Sequence, residues 1–567
     1  MLKHNIKLAF RNFKKDKSTF LINLIGLSTG LACTIVILLW VTDELNVDKF
    51  HTNDQQLFRI YSNFDENGEM TTEEGLPPLL SKAMQDEIPD VKLGASSSSP
   101  SNYHSLTSED IYLNATGRFV TNNFFQLFSF EMLEGNTEQL FPNKNGIIIS
   151  ESLAEKFYGS TENVLGKIII RGDIESVVCG ISKDVPQNST IQFDYLLPFE
   201  RYVDFIGQQH IWQNYVAETY VLTHKEIDLN NFNKKIDGFL MAKNGSDDDH
   251  LWAQQYTSKY LHGDYKNGQV VGGRITYVRL FSLIALFILL IACINFMNLS
   301  TANATKKFKE VGVKKTIGAD RQTLIFQYLG ESMMLSFFAL LIAFMMIYFF
   351  LPNFNLITGK ELSLNLSPIA WFSIFTITLL TGLISGSYPA FYLSSFKPAK
   401  IFKGNIKNSW SELWARKGLV VFQFAVSIIL IVSVIVIYKQ IEFIQNKKLG
   451  YNKENVVHFK FKDTEAISQD AFISEVEKIP NVINASSMNG SFVDDASDTN
   501  GSFDWEGKNP DYDPTFHFVH VNYDMLEMLD VEMAKGRSFD KKFNNENTKI
   551  IFNETGLKVL GLSLIHI

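Results

Sequence analysis

The chain has 567 residues, of which 46% are hydrophobic and 13% aromatic, and its formal net charge is -9 at pH 7. This length exceeds one ordinary domain, and the aromatic share is typical of a membrane protein. The negative charge argues against a nucleic-acid partner, because a phosphate-binding surface needs an excess of clustered Lys and Arg. The three cysteines form no CxxC or Cys/His spacing, which argues against a disulfide framework or a zinc site.

The first 19 residues form a basic arm with apolar residues at helical spacing. Leu2, Ile6, Phe10 and Phe13 recur every three or four residues, opposite the lysines. This pattern predicts an amphipathic helix that lies along the inner face of a membrane. A plain solvated start of a helix gives the same pattern, so both interpretations stay open at this point.

Five apolar segments are long enough to cross the hydrocarbon core of a bilayer, which takes about 20 residues in a helix. They are residues 20–42, 280–298, 332–351, 371–393 and 418–438. The first is longer than the apolar core of a secretory signal peptide, which has about 7 to 15 residues. Asp43 and Glu44 follow it in place of a small-residue cleavage site. We therefore predict that the first segment is an uncleaved span.

The distribution of Lys and Arg predicts how these spans are oriented, because cytoplasmic flanks retain positive charge. Basic residues cluster in the N-terminal arm and in residues 306–321 and 397–417, after the second and fourth spans. The link between the third and fourth spans, residues 352–368, has Lys360 as its single basic residue. We therefore predict a cytoplasmic N-terminus and polar domains on the outer side.

The polar region at residues 43–277 is large enough to fold independently. Apolar runs at residues 167–171 and 176–181 predict strands, residues 151–157 predict a helix, and the Asn-Gly pairs at 67–68 and 267–268 predict turns. An α+β domain is therefore expected. We interpret the serine tract 96–101 and the aspartates 247–249 as surface loops, since no EF-hand spacing accompanies the aspartates.

The C-terminal region repeats part of this domain. Residues 120–135, VTNNFFQLFSFEMLEG, align without a gap to residues 521–536, VNYDMLEMLDVEMAKG, with four identities. Flanking motifs follow in the same order, because EIPDV at 87–91 matches KIPNV at 478–482 and SES at 150–152 matches NET at 553–555. We therefore predict a second outer domain in residues 439–567, and we expect the sequence to be a fragment of a duplicated protein.

Polar and small residues within the apolar segments suggest how the spans pack. Gly26 and Gly30 form a GxxxG motif, which favours close approach of two helices. Four amide side chains can hydrogen-bond between helices, namely Asn23, Asn295, Asn298 and Gln423. Arg279 and Glu331 are interpreted as lying at span ends, where they can reach the interface.

The sharpest motif lies after the second span, within residues 295–336, NFMNLSTANATKKFKEVGVKKTIGADRQTLIFQYLGESMMLS. It combines a basic and an acidic residue, a glycine, an apolar residue, two lysines and a Gly-Ala pair, at Lys309, Glu310, Gly312, Val313, Lys314, Lys315, Gly318 and Ala319. This segment resembles the signature of FtsX/MacB-type ABC transporter permeases. The later run YPAFYLSSFKPAKIFKG, residues 388–404, resembles the fourth span of that family and its exit.

The resemblance implies a helical membrane bundle with large α+β extracytoplasmic domains, of the doubled type common in Bacteroidota, with five spans visible and eight expected in a complete chain. The implied order is a cytoplasmic arm (1–19), span 1 (20–42), a first MacB-like domain (43–277), an FtsX-like membrane domain (278–394), a basic linker (395–417), span 5 (418–438) and a second outer domain (439–567). The implied location is the bacterial inner membrane, with the outer domains in the periplasm.

The resemblance also implies a permease subunit that is not itself an enzyme and works with a cytoplasmic ABC ATPase dimer. No GxxxxGK[ST] motif occurs in the sequence, so ATP and Mg are expected on the partner and no cofactor is expected in this chain. A coupling helix at about residues 303–320 would dock on the ATPase and tilt the attached spans. The candidate coupling residues are Lys309, Glu310, Val311, Gly312, Val313, Lys314, Lys315, Ile317 and Gly318.

Within this helix, Glu310, Lys314 and Lys315 are expected to make polar contacts, and Val311, Val313 and Ile317 to pack. The two glycines, Gly312 and Gly318, permit close approach and chain reversal. The other interpretation of the lysines is that they are anchors at the positively charged inner face.

The implied mechanism is mechanotransmission, in which ATP turnover moves the outer domains and no substrate passes between the spans. The work would be export of hydrophobic compounds or peptides, with a periplasmic adaptor and an outer-membrane channel as further partners, or release of lipoproteins. The alternative is an FtsX-like regulator of a cell-wall hydrolase. A secondary transporter is disfavoured, because large outer domains and sparse charge within the spans have no place in that mechanism.

Overall fold

The computed structural model describes residues 17–561 apart from residues 67, 101–104, 208–210, 303, 396–409, 448, 460–467, 490–497, 501–504, 506–507, 509–515 and 544–545. Most of the predicted N-terminal arm and most of the predicted linker 395–417 therefore lie outside the described residues. The first helix, α1 (Lys17–Leu45), is longer than the apolar run that predicts it. Its 29 residues extend about 44 Å, so it projects beyond a hydrocarbon core of about 30 Å.

The outer region that follows α1 is built around a mixed sheet, to which the described residues contribute 13 strands. These are β1 (Leu57–Glu66), β2 (Glu69–Glu73), β3 (Val91–Ser98), β4 (Ser105–Ser108), β5 (Ile111–Asn114), β6 (Gly117–Val120), β7 (Met132–Glu134), β8 (Gly146–Ser150), β9 (Ile168–Arg171), β10 (Ile174–Ser182), β11 (Tyr195–Pro198), β12 (Ala217–Thr223) and β13 (His250–Gln255). The strand order is β13-β1-β12-β3-β6-β11-β8-β10-β9-β4-β5, with β2 beside β1 and β7 beside β10. Strands β8 and β10 are parallel, as are β6 and β11, whereas β3 and β12 are antiparallel.

Short helices connect and cover these strands. They are α2 (Leu80–Glu87), α3 (Phe124–Leu127), α4 (Glu151–Tyr158), α5 (Phe199–Ile206), α6 (Leu229–Ile236), α7 (Met241–Asn244) and α8 (Tyr256–Lys259). Ser150 caps α4 by accepting a hydrogen bond from the amide of Leu153, and Gly159 ends the helix with a positive φ of 73°. The predicted strands at 167–171 and 176–181 and the predicted helix at 151–157 are therefore confirmed as β9, β10 and α4.

A two-stranded hairpin, β14 (Asp264–Lys266) and β15 (Gln269–Gly272), leads from the outer domain back to the membrane. Asn267 and Gly268 form its turn with φ values of 50° and 67°. Positive φ at both positions is what a two-residue hairpin turn requires, so the turn predicted from this Asn-Gly pair is confirmed.

The prediction of a surface loop at the serine tract is wrong for Ser96, Ser97 and Ser98, which are buried in β3. The hydroxyl oxygens of Ser96 and Ser81 lie 2.7 Å apart, and the Arg118 guanidinium donates to the Ser98 carbonyl oxygen at 2.9 Å. Serine is tolerated in this strand because its polar groups find partners inside the domain.

The aspartate tract 247–249 does lie in a loop, but Asp249 is buried rather than solvated. Its Oδ2 accepts hydrogen bonds from the Tyr215 hydroxyl at 2.7 Å and from the Asn244 amide nitrogen at 2.6 Å. The interpretation as a surface loop is therefore wrong for this residue, which ties the loop to the domain.

The membrane region contains α9 (Ile275–Ala302), α10 (Ala304–Thr316), α11 (Arg321–Thr358), α12 (Pro368–Ser395) and α13 (Trp410–Gln445). With α1, four of these form the five apolar helices long enough to span a membrane within the described part of the chain, which confirms the five predicted spans. Helix α11 continues through Pro352, so the outer link predicted at 352–368 shortens to residues 359–367.

Four spans form one bundle, and the fifth lies against its side. Helices α1, α9, α11 and α12 share a buried apolar core that includes Leu27, Leu31, Ala292, Ala339 and Ile374. Helix α13 contacts α9, but only 6% of its apolar segment is buried. Its surface is therefore directed mainly to lipid or to a further packing partner.

The second outer region contains α14 (Gln469–Val476), β16 (Asp498–Asn500), β17 (Phe516–Phe518), α15 (Met525–Met528) and α16 (Glu554–Val559). The repeated segments have matching backbone hydrogen bonds. The amide of Phe128 donates to the Phe124 carbonyl at 2.9 Å, and the amide of Leu529 donates to the Met525 carbonyl at 3.2 Å. These two pairs occupy equivalent positions in the sequence alignment.

The three cysteines lie in different surroundings. Cys33 is on the exposed face of α1, and Cys293 is buried in α9. Cys179, in β10, is half-buried, and its Sγ donates to the carbonyl oxygens of Leu140 and Ile147 at 3.4 Å. Burial raises the pKa of the Cys179 thiol to about 11.

Candidate coupling site and its connection to the outer domain

Helix α10 follows the second span and is joined to α11 by a tight turn. It covers Ala304–Thr316, within the predicted range 303–320. Gly318 has a φ of 102°, which L residues rarely adopt, and its amide donates to the Lys315 carbonyl at 3.1 Å. Asp320 then caps α11 by accepting from the amide of Thr323 at 2.9 Å, and hydrogen bonds from Thr323 lower the pKa of this carboxyl.

One face of α10 packs on the spans. Val311 is completely buried in a cluster with Leu324 and Tyr328 of α11 and with Ala390 and Leu393 of α12. Gly312, the next residue in α10, is also buried. The helix is therefore held against two spans at once by apolar packing.

A chain of polar contacts adds to this packing. Lys314 Nζ donates to Glu310 Oε1 at 2.7 Å and to Gln327 Oε1 at 3.1 Å. Lys315 Nζ donates to the Ser394 carbonyl oxygen at 2.6 Å, near the end of α12. The two lysines predicted to contact a partner are thus engaged with α11 and α12 of the same chain, and Glu310 pairs with Lys314 within α10. The side chain of Lys309 lies outside the described part of the structure.

Glu331 belongs to the same chain of contacts. It is 9% exposed, and its Oε1 accepts a hydrogen bond from Gln327 Nε2 at 3.3 Å. The interpretation of Glu331 as a span-end residue that reaches the interface is therefore wrong. The physical reason is that α11 begins at Arg321, well before its apolar run, so that Glu331 lies inside the helix and on its buried face.

Two apolar residues, one in the last turn of α10 and one directly after it, face away from the spans. Val313 is 48% exposed and Ile317, one turn further on, is 82% exposed. The structure therefore separates Val311, which packs inward, from Val313 and Ile317, which form an outward apolar pair. An exposed apolar pair on a helix held rigidly against a membrane bundle can dock into an apolar groove of another protein.

At the other end of the bundle, an ion cluster surrounds Glu44, whose side chain is fully buried in the last turn of α1. Arg274, just before α9, donates from Nε to Glu44 Oε2 at 3.0 Å and from Nη2 to Oε1 at 3.2 Å. Lys360, in the loop between α11 and α12, lies 3.0 Å from Glu44 Oε1 and 2.7 Å from Asp43 Oδ2. Three parts of the membrane domain therefore meet at one carboxylate.

The outer domain joins the same cluster through Tyr260, which follows α8. Its hydroxyl donates to Glu44 Oε1 at 3.0 Å, and the Arg274 guanidinium lies over its ring at 4.8 Å. Burial lowers the pKa of Lys360, but hydrogen bonds to Asp43 and Glu44 outweigh this and leave its pKa raised. The span pattern alone does not point to this cluster. The available signals were two acidic residues directly after span 1 and a single lysine in the facing loop.

Helices α1 and α9, which meet at this cluster, also approach closely within the membrane. A Cβ atom added to Gly30 would lie 2.5 Å from the Cβ of Ala292, and one added to Gly26 would lie 3.2 Å from the Asn295 amide nitrogen. The GxxxG residues thus lie where the two helices approach each other closely.

Two protein-family models match this chain, and a set of known proteins is similar to it in sequence. The model described as MacB-like periplasmic core domain matches residues 20–239, and the model described as FtsX-like permease C-terminal matches residues 282–398. The "Macrolide export ATP-binding/permease protein MacB" of Salmonella paratyphi A is 24% identical over 297 residues, which cover 50% of this chain and 42% of that protein. The protein of the same name from Escherichia coli K12 is 21% identical over 294 residues, with the same coverage. The chain therefore matches less than half the length of these relatives.

Solved structures similar to this chain include a domain of a permease protein from Porphyromonas gingivalis, with 20% identity and a TM-score of 0.31, which covers 36% of this chain and 93% of that one. The periplasmic region of MacB from Actinobacillus actinomycetemcomitans has 14% identity and a TM-score of 0.27 and covers 35% of this chain and 87% of that one. The family assignment does not depend on these solved structures. It depends on the two family models, which match in the order outer domain and then membrane domain, and on the MacB relatives. This multi-pass membrane protein with an extracytoplasmic domain belongs to the FtsX/MacB family of ABC transporter permeases.

Proposed function

We propose that this chain is the permease subunit of an ABC transporter and converts ATP hydrolysis by a separate cytoplasmic ATPase dimer into movement of its outer domain. The observation that carries this proposal is that α10 and the outer domain contact opposite ends of the same helix bundle. Helix α11 alone has 38 residues, which extend about 57 Å, enough to connect the two sides of a membrane.

At the inner end, the outward pair Val313 and Ile317 is the proposed docking surface for the ATPase. Docking of an apolar helix face into a groove is a common mode of recognition. Glu310, Lys314 and Lys315 are assigned a positioning role, because the two lysines hold α10 on α11 and α12 and Glu310 pairs with Lys314. A helix fixed in this way passes an applied force to both spans instead of moving independently.

At the outer end, the Glu44 cluster is the proposed connection to the outer domain. Removing one partner of a buried ion pair costs about 3–5 kcal/mol, because it leaves an uncompensated charge. The cluster should therefore resist separation of α1, α9 and the α11–α12 loop from Tyr260. A tilt of the bundle would then be passed to the outer domain as a movement of the whole domain.

The remaining parts of the proposal concern location and cargo. The N-terminus is assigned to the cytoplasm and the membrane to the bacterial inner membrane, in agreement with the Lys and Arg distribution. ATP and Mg are assigned to the partner subunit. Because the MacB relatives are named as macrolide exporters, the proposed work is export of hydrophobic compounds or peptides, with a periplasmic adaptor and an outer-membrane channel as further partners.

The docking surface is tested by replacing Ile317 with Asp and measuring co-purification with the candidate ATPase and the ATP turnover of the complex. We expect Ile317→Asp to weaken binding by about tenfold or more, because a carboxylate replaces a buried apolar contact. Ile357→Asp is the matched control, since Ile357 is 83% exposed near the other end of α11. Unchanged binding by Ile317→Asp contradicts the proposal, and loss of binding in Ile357→Asp alone would put α10 on the wrong side of the membrane.

A charge reversal separates a positioning role from direct contact with the ATPase. The double variant Glu310→Lys, Lys314→Glu keeps an ion pair within α10 but exchanges the two charges. If the pair only positions α10, ATPase binding should stay within about twofold of the parent chain, a difference of about 0.4 kcal/mol. A loss comparable to that of Ile317→Asp would instead assign these residues to the docking surface.

The outer connection is tested with Glu44→Gln, and Glu361→Gln is the control because Glu361 is exposed in the same loop as Lys360. We expect Glu44→Gln to keep ATPase binding and to lose the ATP-dependent change in distance between spin labels on the outer domain and on α9. Full ATP-dependent movement in Glu44→Gln would contradict the assigned connection.

A further inference from the structure

A cavity of about 330 Å³ lies in the outer domain beside the Glu44 cluster and extends to the face of the central sheet. Its wall carries the cationic side chains of Arg59, Arg118, Lys259 and Arg274. Tyrosines such as Tyr220 also line it. The volume is at the lower end for small-molecule sites, which are about 300–1,000 Å³.

The charges of this wall do not balance, even when Glu74, which pairs with two of the lining cations but does not itself line the cavity, is counted. Arg59 Nη2 lies 3.0 Å from Glu74 Oε2 and 3.4 Å from Glu218 Oε1. Arg118 Nη1 lies 2.8 Å from Glu218 Oε2, and Lys259 Nζ lies 2.5 Å from Glu74 Oε2. Three cations thus share two carboxylates, which leaves one positive charge in excess.

The other charged residues of the wall do not remove this excess. Arg274 is already paired with Glu44, in the cluster where Lys360 and Asp43 also balance each other. Asp264 also lines the cavity, but it is exposed, so water screens its charge.

Two further observations agree with a site for an anionic hydrogen-bond acceptor. The side chains of Arg59 and Arg118 are only 5% and 6% exposed, and among the described residues neither Nε atom has a hydrogen-bond partner. Burial and the like charge of Arg59 lower the pKa of Lys259, although Glu74 opposes this. Buried cations without full compensation are unfavourable, so an anion that enters the cavity would be stabilised.

The charge balance points to a binding site for one carboxylate group, carried by a small organic acid or by the C-terminus of a peptide. One excess positive charge matches one negative charge, and guanidinium groups suit the planar carboxylate. Tyrosine rings in the wall can contact the apolar body that bears the carboxylate. This inference does not depend on the proposed coupling function, and its test involves no ATPase.

The two partners of one ion pair provide a sharp test. Lys259→Gln and Glu74→Gln both remove the pair between Lys259 and Glu74, so a purely structural role predicts similar effects. Their effects on the wall charge are opposite, because Lys259→Gln removes the excess positive charge and Glu74→Gln increases it. We expect Lys259→Gln to weaken carboxylate binding about tenfold and Glu74→Gln to strengthen it by a similar factor.

Binding is measured by calorimetry with the full chain in nanodiscs of zwitterionic lipid, using acetate, the tripeptide Ala-Ala-Ala and its C-terminal amide as probes. Binding of acetate and tripeptide supports a general carboxylate site, and binding of the tripeptide alone supports a peptide C-terminus. In both cases the amide should bind at least about tenfold more weakly. Equal binding of the amide, or no binding of either carboxylate probe, overturns the inference.

Lys243→Gln is the matched control. Lys243 pairs with Glu87 at 2.5 Å, and neither residue lines the cavity. The substitution changes the net charge of the protein as much as Lys259→Gln does, so it should leave carboxylate affinity unchanged. Parallel changes in Lys259→Gln and Glu74→Gln, or a tenfold loss in Lys243→Gln, would show that the cavity charge does not govern binding.

Discussion

The first outer domain and the second outer region contain the same sequence repeat in different surroundings. In the first, α3 places Phe124 and Phe128 in a large core that also contains Tyr220 and Tyr256, from beyond residue 216. In the second, the equivalent Met525 is buried, but it belongs to none of the apolar clusters formed by the described residues. The short helix therefore forms in both places, whereas the described residues of the second region place no apolar cluster around it.

Strand pairing differs between the two regions in the same way. Val120 pairs with Ser97 between β6 and β3, and the equivalent Val521 pairs with Met488 as an isolated bridge. In the first domain, β12 and β11 extend this pairing on either side of β3 and β6. The comparison teaches that the short helix follows from local sequence, while the sheet depends on strands that are distant along the chain.

The largest expected effect compares equivalent core residues. Phe124→Ala should destabilise the first outer domain by about 3–5 kcal/mol, because it opens a cavity in a continuous core. Met525→Ala should cost about 1–2 kcal/mol, since less apolar surface is lost around it. Hydrogen exchange followed by mass spectrometry, applied to each region of the full chain, measures both. Equal losses would mean that the second region is as tightly packed as the first.

Acid should affect the first domain through His51. Its Nδ1 accepts a hydrogen bond from the amide of Ser129, and burial lowers its pKa to about 4. In the unfolded chain, His51 takes up a proton near pH 6.5, whereas in the folded domain it does so only near pH 4. The contribution of His51 to the free energy of unfolding should therefore fall by about 3 kcal/mol between pH 6.5 and pH 4 and stay constant at lower pH.

The measurement for His51 is the denaturation midpoint of the first domain, followed by tryptophan fluorescence from pH 7 to pH 4. His51→Gln cannot take up a proton, so its stability should be independent of pH over this range apart from the contributions of the carboxylates. A pH dependence as steep as that of the parent chain would assign the effect to other groups.

Glycine substitutions compare the first span with the fifth. Gly30→Ala should destabilise the packing of α1 on α9 by about 1–3 kcal/mol, because its Cβ would overlap that of Ala292. Gly418→Ala in α13 should cause no loss, since the residue has open space around it. Thermal unfolding in detergent measures both, and an equal loss in Gly418→Ala would indicate that α13 packs as closely as α1.

The smallest expected effect is the same in both outer regions. Ser150 accepts a hydrogen bond from the amide of Leu153 at 3.3 Å, and the equivalent Asn553 accepts from the amide of Gly556 at 2.7 Å. Replacing either with Ala should cost about 1 kcal/mol of local stability, because each removes one N-cap. Hydrogen exchange of the following helix provides the measurement. A much larger cost in one region would show that the cap there also supports tertiary packing.

Much of the fold could be predicted from the sequence where the signal is local. The five apolar runs, the Asn-Gly turn at 267–268 and the strands at 168–171 and 174–182 each follow from a few neighbouring residues. The serine tract could not be interpreted correctly in this way. Its burial depends on Ser81 and Arg118, which reach β3 only after the domain has folded.

The candidate coupling site shows the same limit. The motif identifies α10 and its turn at Gly318, but it does not indicate which face of the helix is buried. That depends on Leu324, Ala390 and Leu393, which come from two later helices. The Glu44 cluster is even harder to predict from the sequence, because Arg274 and Lys360 each lie more than 200 residues from Glu44 along the chain.

The surroundings of the cysteines make the native chain suitable for labelling. Maleimides react with the thiolate, and the raised pKa of Cys179 leaves almost no thiolate at neutral pH. Cys33 and Cys293 lie within apolar spans, away from water-soluble reagents. A single cysteine introduced on an exposed loop should therefore react selectively without prior removal of the native thiols. Probes for topology and distance can thus be attached to an otherwise unaltered protein.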